Sequence, residues 1–198
     1  MIDLLNEYWW VSIILWVVLF LGDHYMTVFA AKLLMALGEQ HLTFQNGYEM
    51  NPNFEKEVAN FQWFTRKHFN ALIGGIFILS FWRLWGGKTI FEFFIGAFLL
   101  QWFYIDLTNI VNILSLQDIR KPGSLTGKIE YSYWFSQRQV AFRNISQAIL
   151  FSVAALATMR LFFWGGVAGL LFTGTRHLNL ANRIFSQVSN TPIQKENE

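Results

Sequence analysis

Five stretches of mostly apolar residues divide the chain, and polar segments of different length separate them. A helix crosses the hydrocarbon core of a membrane with about 20 mostly apolar residues. The first and third stretches exceed that length, the fifth matches it and the other two are slightly shorter; together they cover approximately residues 9–34, 69–85, 89–110, 144–159 and 161–180. The pattern therefore predicts an all-α integral membrane protein with about five transmembrane helices. The fourth stretch contains Ser146, Gln147 and Ser152, so a chain of four spans is the alternative.

The two long loops carry patterns of their own. Phe54, Val58, Phe61 and Phe64 recur at helical spacing with polar residues between them. This spacing predicts an interfacial amphipathic helix that leads into the second span. The segment YSYWFSQRQVAF, residues 131–142, is predicted to form a second such helix before the fourth span.

The first two spans with their loop resemble the third and fourth spans with theirs. Asp23 lies near the end of the first span, and Glu49 follows in the loop. Asp106 lies at a similar place in the third span, and Glu130 follows it at nearly the same interval. Such halves form a parallel repeat, related by an axis along the membrane normal. Duplication of a helical hairpin and coincidence between two short apolar hairpins both remain open.

The composition excludes several classes of protein. Of the 198 residues, 54% are hydrophobic and only 14% are charged, whereas an ordinary soluble domain carries about 25% charged residues. The chain is also too apolar to be disordered. Because it has no cysteine, disulfides, thiolate zinc sites, iron–sulfur clusters and cysteine nucleophiles are excluded. We expect one transmembrane helical domain over residues 1–185 and a polar tail over residues 186–198.

The basic residues predict the orientation of the chain. Most of the 15 Lys and Arg residues lie in the two long loops or near the end of the fifth span. Only Arg83, Lys88 and Arg160 lie in the two short turns on the opposite side. By the positive-inside rule, the N-terminus lies outside and the C-terminus lies in the cytoplasm. The expected location is the cell (inner) membrane, and the net charge of +2 reflects this loop asymmetry rather than a nucleic-acid surface.

Ionisable residues within apolar spans are costly and are candidates for a functional site. Asp23, Asp106 and Arg176 fall in the cytoplasmic third of their spans, and further polar residues lie at that depth. We therefore predict a cytoplasm-facing polar vestibule. The structural alternative is that both aspartates pair with Arg176 or a loop lysine and lock the bundle together. The candidate ligand-binding or ion-binding residues are Asp23, His24, Thr27, Glu49, Asn51, Asp106, Asn109, Glu130, Arg176 and His177.

A metal site is a further hypothesis. His24, His177 and Asp23, together with a loop glutamate, are chemically acceptable ligands for Zn²⁺ or Fe²⁺. The chain has no HExxH or HxxH helix pair, so the usual zinc spacing is absent. The pair of His24 and His177 is also the one plausible set of axial haem ligands. The sequence assigns neither a cofactor nor catalytic residues.

One segment resembles a known motif. Asp23 and Thr27 are four residues apart in the first span, and a Gly-Tyr-Glu-x-Asn-Pro segment follows from Gly47 to Pro52. This arrangement resembles a motif of small multi-pass bacterial membrane proteins of uncharacterised function. The resemblance covers roughly residues 20 to 60 and implies no established activity. The second hairpin departs from it, because the threonine and the Asn-Pro are missing there.

Three functions are compatible with these features. The first is a small transport-type or channel-type protein that binds a cation or a polar solute, as a homo-oligomer if a conducting path is to form. The second is a structural membrane subunit whose charged layer binds a protein partner. The third is an intramembrane enzyme that uses a carboxylate or a metal ion on a lipid substrate. The lipid bilayer is the expected environment in each case, and no nucleic acid is expected as a partner.

Overall fold

A computed structural model of the chain describes residues 2–36, 42–44, 54–121, 124 and 127–190. These residues form seven helices and two short strands. In chain order they are α1 Ile2–Glu7, α2 Trp9–Ala36, β1 Leu42–Phe44, α3 Glu55–Ala59, α4 Arg66–Trp85, α5 Gly87–Ile119, β2 Ile129–Tyr131, α6 Tyr133–Thr158 and α7 Leu161–Asn190. The predicted all-α, membrane-like class is confirmed.

Three of these helices, α2, α5 and α6, are long and apolar enough to cross a membrane. The fourth predicted span, which the sequence marked as the weakest, lies in α6 and is thus one of the three. The second and fifth predicted spans coincide with α4 and α7, which carry more polar residues and do not reach the same mean hydropathy. The count of five spans is therefore not confirmed and stays a prediction.

Several helices are longer than the apolar stretches that predicted them. The α6 helix begins at Tyr133, well before residue 144. Its early polar residues do not interrupt it, because Ser136 Oγ and Asn144 Nδ2 each donate a hydrogen bond to a carbonyl one turn earlier, those of Ser132 and Val140. Helices can thus continue through polar residues that bond to their own backbone.

The two predicted loop helices are corrected by the structure. In the described part of the first loop, the predicted amphipathic helix is reduced to the five residues of α3, and Phe61 just beyond α3 has a positive φ of 53°, which a right-handed helix does not contain. Only Val58 of that pattern is fully buried. The segment of residues 131–142 is not a separate helix, because it is the end of β2 followed by the first turns of α6.

The α5 helix is the central element of the bundle. It packs against α2 and α4 on one side and against α7 on the other, and α6 packs against α7. The crossing of α5 and α7 is close, since a Cβ at Gly96 would overlap the backbone of Phe162 and a Cβ at Gly165 would overlap that of Phe93. Small residues permit such close approach of membrane helices.

The outer surface of the bundle is apolar. Large hydrophobic side chains on α4, α6 and α7 are more than half exposed, among them Phe77, Leu84, Ile149, Val153, Leu156 and Phe172. Water-soluble monomers rarely expose apolar patches of this extent. A surface of this kind is the one that a lipid environment favours.

The two ends of the bundle differ. The turn end contains the connection at Gly86 between α4 and α5 and the connection at Met159 and Arg160 between α6 and α7. The loop end contains α3, β1 and β2, and the two strands pair in parallel with Leu42 opposite Ile129. Each strand follows the first helix of a predicted half, as a parallel repeat requires. The duplication itself is not confirmed.

Candidate functional site

A cleft of about 680 Å³ runs along one face of α5 and reaches the loop end, where Ile119 and Tyr131 line it. The α5 helix forms the floor with uncharged polar residues: Gln101, Thr108, Asn109, Asn112 and Ser115. What we call the α2 wall consists of Phe20, Asp23, His24, Thr27, Phe54 and His68. The opposite α7 wall comes from β2, α6 and α7, and includes Gln139, Arg143, Asn144, Thr173, Arg176 and His177.

Three polar side chains meet where the α2 wall joins the floor. Asn109 Nδ2 donates to Asp23 Oδ1 at 2.8 Å, and Thr27 Oγ1 donates to the same oxygen at 3.4 Å. Asn109 Nδ2 also lies 3.3 Å from Thr27 Oγ1. Asp23 and Thr27 share a helix face because they are four residues apart. Within the described residues, both hydrogen bonds of this carboxylate are accepted by Oδ1, and the side chain of Asp23 is partly exposed in the cleft.

Asp106 lies next to this group but does not line the cleft. Its side chain is 8% exposed, and its Oδ1 has no hydrogen-bond partner among the described residues. Its Oδ2 packs against the backbone of α2, where a Cβ at Gly22 would lie 3.2 Å from it. Within the described ranges, neither Asp106 nor Asp23 forms an ion pair with a lysine or arginine. The bundle-locking ion pairs considered from the sequence are therefore not found there.

A stack of rings forms the rest of the α2 wall. His24 and His68 stack with ring centroids 4.2 Å apart, and Phe20 lies on His68 with centroids 4.4 Å apart. His24 Nε2 donates to the carbonyl of Gln62 at 3.0 Å. Thr65 holds the start of α4 in place, because its Oγ1 accepts a hydrogen bond from the backbone N–H of His68. Sequence reasoning found His24 and missed His68 and Phe20, since no local signal predicts that these rings meet.

The α7 wall is built from hydrogen bonds between helices. Gln137, which is fully buried, bonds through Oε1 to His177 Nδ1. Gln101 Nε2 on the floor donates to Thr173 Oγ1 at 2.7 Å, which ties α5 to α7. Gly174 lets α6 approach α7, because a Cβ there would meet the backbone of Ala141 at 3.2 Å. Arg143 of α6 and Arg176 of α7 both line this wall.

The structure brings together six of the predicted residues and separates the others. Six of them line the cleft: Asp23, His24, Thr27, Asn109, Arg176 and His177. Asp106 lies behind the α2 wall, and Glu130 lies on β2, where its side chain is exposed. Glu49 and Asn51 fall outside the described residues. Arg143 is the charged cleft residue that the sequence did not select, because it precedes the predicted fourth span.

The three proposed metal ligands do not form a metal-binding group within the described residues. In that part of the chain, no group of three His, Asp or Glu side chains is placed to hold a metal ion. His177 lies on the α7 wall with Gln137, whereas His24 and Asp23 lie on the α2 wall. The hypothesis also included a loop glutamate, and Glu49 lies outside the described residues, so the metal and haem sites stay predictions.

A second polar group, which we call the turn-end cluster, consists of Asp3, Asn6, Glu92 and Arg160. Arg160 bonds to both oxygens of Glu92, through Nε at 3.0 Å and Nη2 at 3.3 Å, and to Asp3 through Nη2 at 2.8 Å. Asn6 Nδ2 and the backbone N–H of Phe162 also donate to Glu92. The hydrogen bond and charge of Arg160 lower the pKa of Asp3 below its ordinary value. This cluster joins α1, α5 and the α6–α7 connection.

Comparison with known proteins adds no assignment to this geometry. No family model matches the chain, and no curated protein and no solved structure is similar to it at a significant level. The motif resemblance at residues 20 to 60 therefore remains an expectation from the sequence.

Proposed function

We propose that this chain is a small multi-pass membrane protein of the transport type, which binds a polar solute in the cleft. The observation that carries the proposal is the cleft itself, in which polar side chains of α2, α5, α6 and α7 converge on one open volume. Ligand sites typically enclose about 300–1,000 Å³. A volume of about 680 Å³ suits a small solute.

The polar residues of the cleft are unlike those that only stabilise a bundle. Polar groups among apolar helices are costly unless they are satisfied by partners. A structural role is best served when such groups bond to one another, as Glu92 and Arg160 do at the turn end. In the cleft, Asp23 instead lines open volume and forms no ion pair with a described lysine or arginine. This supports a ligand as the cationic or hydrogen-bonding partner of Asp23.

The proposed topology has five spans, α2, α4, α5, α6 and α7, in the inner membrane. The excess of basic residues at the loop end favours an outer N-terminus and a cytoplasmic C-terminus. The cleft would then open toward the cytoplasm. Its lining by Ile119 and Tyr131, at the loop end, agrees with that orientation.

The topology can be tested with single cysteines, because the chain contains none of its own. We expect Lys88→Cys, at the turn end, to react with a membrane-impermeant maleimide in intact spheroplasts. Ser189→Cys, near the end of α7, is expected to react only after the membrane is opened. Labelling of both positions, or the reverse order, would contradict five spans with an outer N-terminus.

The transport function can be tested with purified protein in vesicles. Vesicles loaded with radiolabelled glycine, ethanolamine or phosphate should show protein-dependent exchange of at least one of these solutes. Asp23→Asn and Asn109→Leu should slow that exchange. Asp118→Asn, an exposed carboxylate on α5 that pairs with Lys121, is the matched control and should leave it unchanged. Protein that is folded by circular dichroism but exchanges none of the solutes would refute the proposal.

A further inference from the structure

The carboxyl group of Asp106 is enclosed in the bundle and has no partner for a charge. Its side chain is 8% exposed, and its Oδ1 has no hydrogen-bond partner among the described residues. No lysine or arginine of those residues forms an ion pair with it. An unpaired charge in such surroundings is costly, so a carboxyl group there takes up a proton instead. The surroundings of Asp106 thus favour the uncharged acid.

Asp23 is the second carboxyl group of this region, and its surroundings differ. It lines the cleft, and its side chain is partly exposed there. Asn109 and Thr27 both donate to its Oδ1, and hydrogen bonds of this kind favour the ionised carboxylate. Its Oδ2 accepts no hydrogen bond from the described residues. A cation in the cleft could therefore bind this oxygen directly.

The two carboxyl groups lie near enough to affect each other. A Cβ at Gly22, the residue before Asp23, would lie 3.2 Å from Asp106 Oδ2. Asn109, which donates to Asp23, lies about one helical turn beyond Asp106 on α5. The charge of Asp23 acts on Asp106 at this separation. Two neighbouring carboxylates disfavour each other's ionised form unless a cation is present.

The other titratable groups that line the cleft on helices packed against α5 do not compensate Asp106. They are His24 on α2, His68 on α4, and Arg176 and His177 on α7. His24 bonds to the carbonyl of Gln62, His177 bonds to Gln137, and Arg176 has an interaction of its own. His68 stacks between Phe20 and His24. Among the described residues, Asp23 is therefore the charged group to which the protonation of Asp106 responds.

We propose that the protein exchanges a small monovalent cation for a proton: the cation binds at Asp23, and its binding releases the proton held by Asp106. This inference rests on the proposed function and names its substrate class. One proton leaves Asp106 as one cation binds Asp23, so the pair of carboxyl groups keeps one net negative charge throughout. Each positive charge weakens the binding of the other, and this coupling is reciprocal. Competition of this kind exchanges two cations in opposite directions.

The first test measures the binding of guanidinium to purified full-length protein in an uncharged detergent. Guanidinium is the probe because it keeps its charge between about pH 5 and pH 9. Calorimetry in buffers of different ionisation enthalpy gives both the affinity and the number of protons released. We expect about one proton released per cation bound, and an affinity that falls about tenfold per pH unit where Asp106 holds its proton. Binding without release of a proton at every pH would overturn the inference.

Two variants assign the roles of the two carboxyl groups. Asp106→Asn imitates the protonated acid, so it should bind guanidinium as weakly as the unaltered protein does at low pH, with an affinity that no longer varies with pH. Asp23→Asn should weaken binding by about tenfold or more at high pH. Asp118→Asn, on the exposed part of α5, is the matched control and should change neither property. A pH dependence that persists in Asp106→Asn would assign the proton to another group and overturn the inference.

Transport is tested in vesicles with radiolabelled guanidinium outside. A pH gradient, acid inside, should drive its accumulation, because protons leave as guanidinium enters. A membrane potential alone should not, since one positive charge replaces another, whereas the movement of a single charge would respond to the potential. Asp106→Asn should accumulate guanidinium under neither condition. Accumulation in the unaltered protein under a membrane potential alone would indicate a channel and overturn the inference.

The remaining outcomes separate this inference from the proposed function. If glycine or phosphate is exchanged in vesicles while neither guanidinium nor ethanolamine binds, cation–proton exchange is refuted and transport of a polar solute stands. The same holds if a cation is exchanged without movement of a proton. If the folded protein binds none of these solutes and exchanges none, both the inference and the proposed function are refuted.

Discussion

Two carboxylates, one at each end of the bundle, differ in how their oxygens are used. Glu92 at the turn end accepts two hydrogen bonds on each oxygen, and its partners include the guanidinium of Arg160. Asp23 in the cleft accepts both of its hydrogen bonds on Oδ1 and has no cationic partner among the described residues. The first arrangement is complete within the chain, whereas the second leaves room for a ligand. Under the proposed function, the turn end stabilises the bundle and the cleft binds the solute.

The largest loss of stability is expected when the carboxylate of Glu92 is removed. Glu92→Ala leaves Arg160, Asn6 and the backbone N–H of Phe162 without their acceptor. Because Glu92 is 12% exposed, we expect a loss of about 2–3 kcal/mol in the free energy of unfolding. Thermal unfolding in detergent measures it. An unchanged Tm would mean that the turn-end cluster does not hold the bundle together.

The matching change in the cleft should have a smaller effect on stability. Asp23→Asn keeps an oxygen that accepts from Asn109 and Thr27 and removes an uncompensated charge. We expect the free energy of unfolding to change by less than about 1 kcal/mol. The same thermal measurement applies, with Glu92→Gln as the isosteric control at the other end. A loss as large as that of Glu92→Ala would show that Asp23 is a structural residue.

Two glycines test how closely Asp106 of α5 packs against α2. Gly74 on α4 has open space around a Cβ, whereas a Cβ at Gly22 would lie 3.2 Å from Asp106 Oδ2. Gly74→Ala should stabilise the protein by up to about 1 kcal/mol through helix propensity. Gly22→Ala should stabilise the protein less than Gly74→Ala does, because the carboxylate of Asp106 must shift to make room for the Cβ. Equal gains in Tm would mean that Asp106 does not pack against α2 as described.

The turn-end cluster also predicts a dependence on pH. Because Arg160 lowers the pKa of Asp3 in the folded state, the folded state binds a proton at Asp3 less readily than the unfolded state. The resulting stabilisation is complete above about pH 4, the ordinary pKa of an aspartate, and is lost as the pH falls through the lowered value. Tm measured against pH should therefore fall less steeply at the acid end in Asp3→Asn. Identical slopes would refute the contact.

The smallest expected effect belongs to an ion pair at the loop end. Lys67 Nζ lies 2.7 Å from Glu57 Oε1, and this hydrogen bond lowers the pKa of Glu57. Because the lysine is largely exposed, Glu57→Gln should lower the free energy of unfolding by less than about 1 kcal/mol. This loss should become smaller at high salt. Unfolding at two salt concentrations measures it. A large loss that does not depend on salt would contradict this expectation and would show that the pair stabilises the bundle as strongly as the turn-end cluster does.

The sequence predicted the helices better than their contacts. The apolar stretch of residues 9–34 lies within α2 and differs from it by two residues at one end, because apolar length reports directly on a spanning helix. Asp23 and Thr27 were both selected as candidates from the sequence, and Thr27 Oγ1 donates a hydrogen bond to Asp23 Oδ1 in the structure. The start of α6 was predicted too late along the chain. The prediction counted apolar residues and took no account of Asn144 and Ser136, whose side chains bond to their own helix.

The contacts between distant segments could not be predicted. Arg160 and Asp3 are 157 residues apart, and their pairing depends on how α1 packs beside the α6–α7 connection. The stack of Phe20, His68 and His24 similarly depends on the position of α4 against α2.

The most direct test of the account is the rate of solute exchange in vesicles for two variants, Asp23→Asn and Glu92→Gln, measured beside the unaltered protein with the radiolabelled solute that the unaltered protein exchanges. The account predicts that Asp23→Asn slows this exchange by about tenfold or more, whereas Glu92→Gln leaves the rate unchanged and lowers only Tm. Equal slowing by both variants, or slowing by Glu92→Gln alone, would contradict the assignment of binding to the cleft and stability to the turn end.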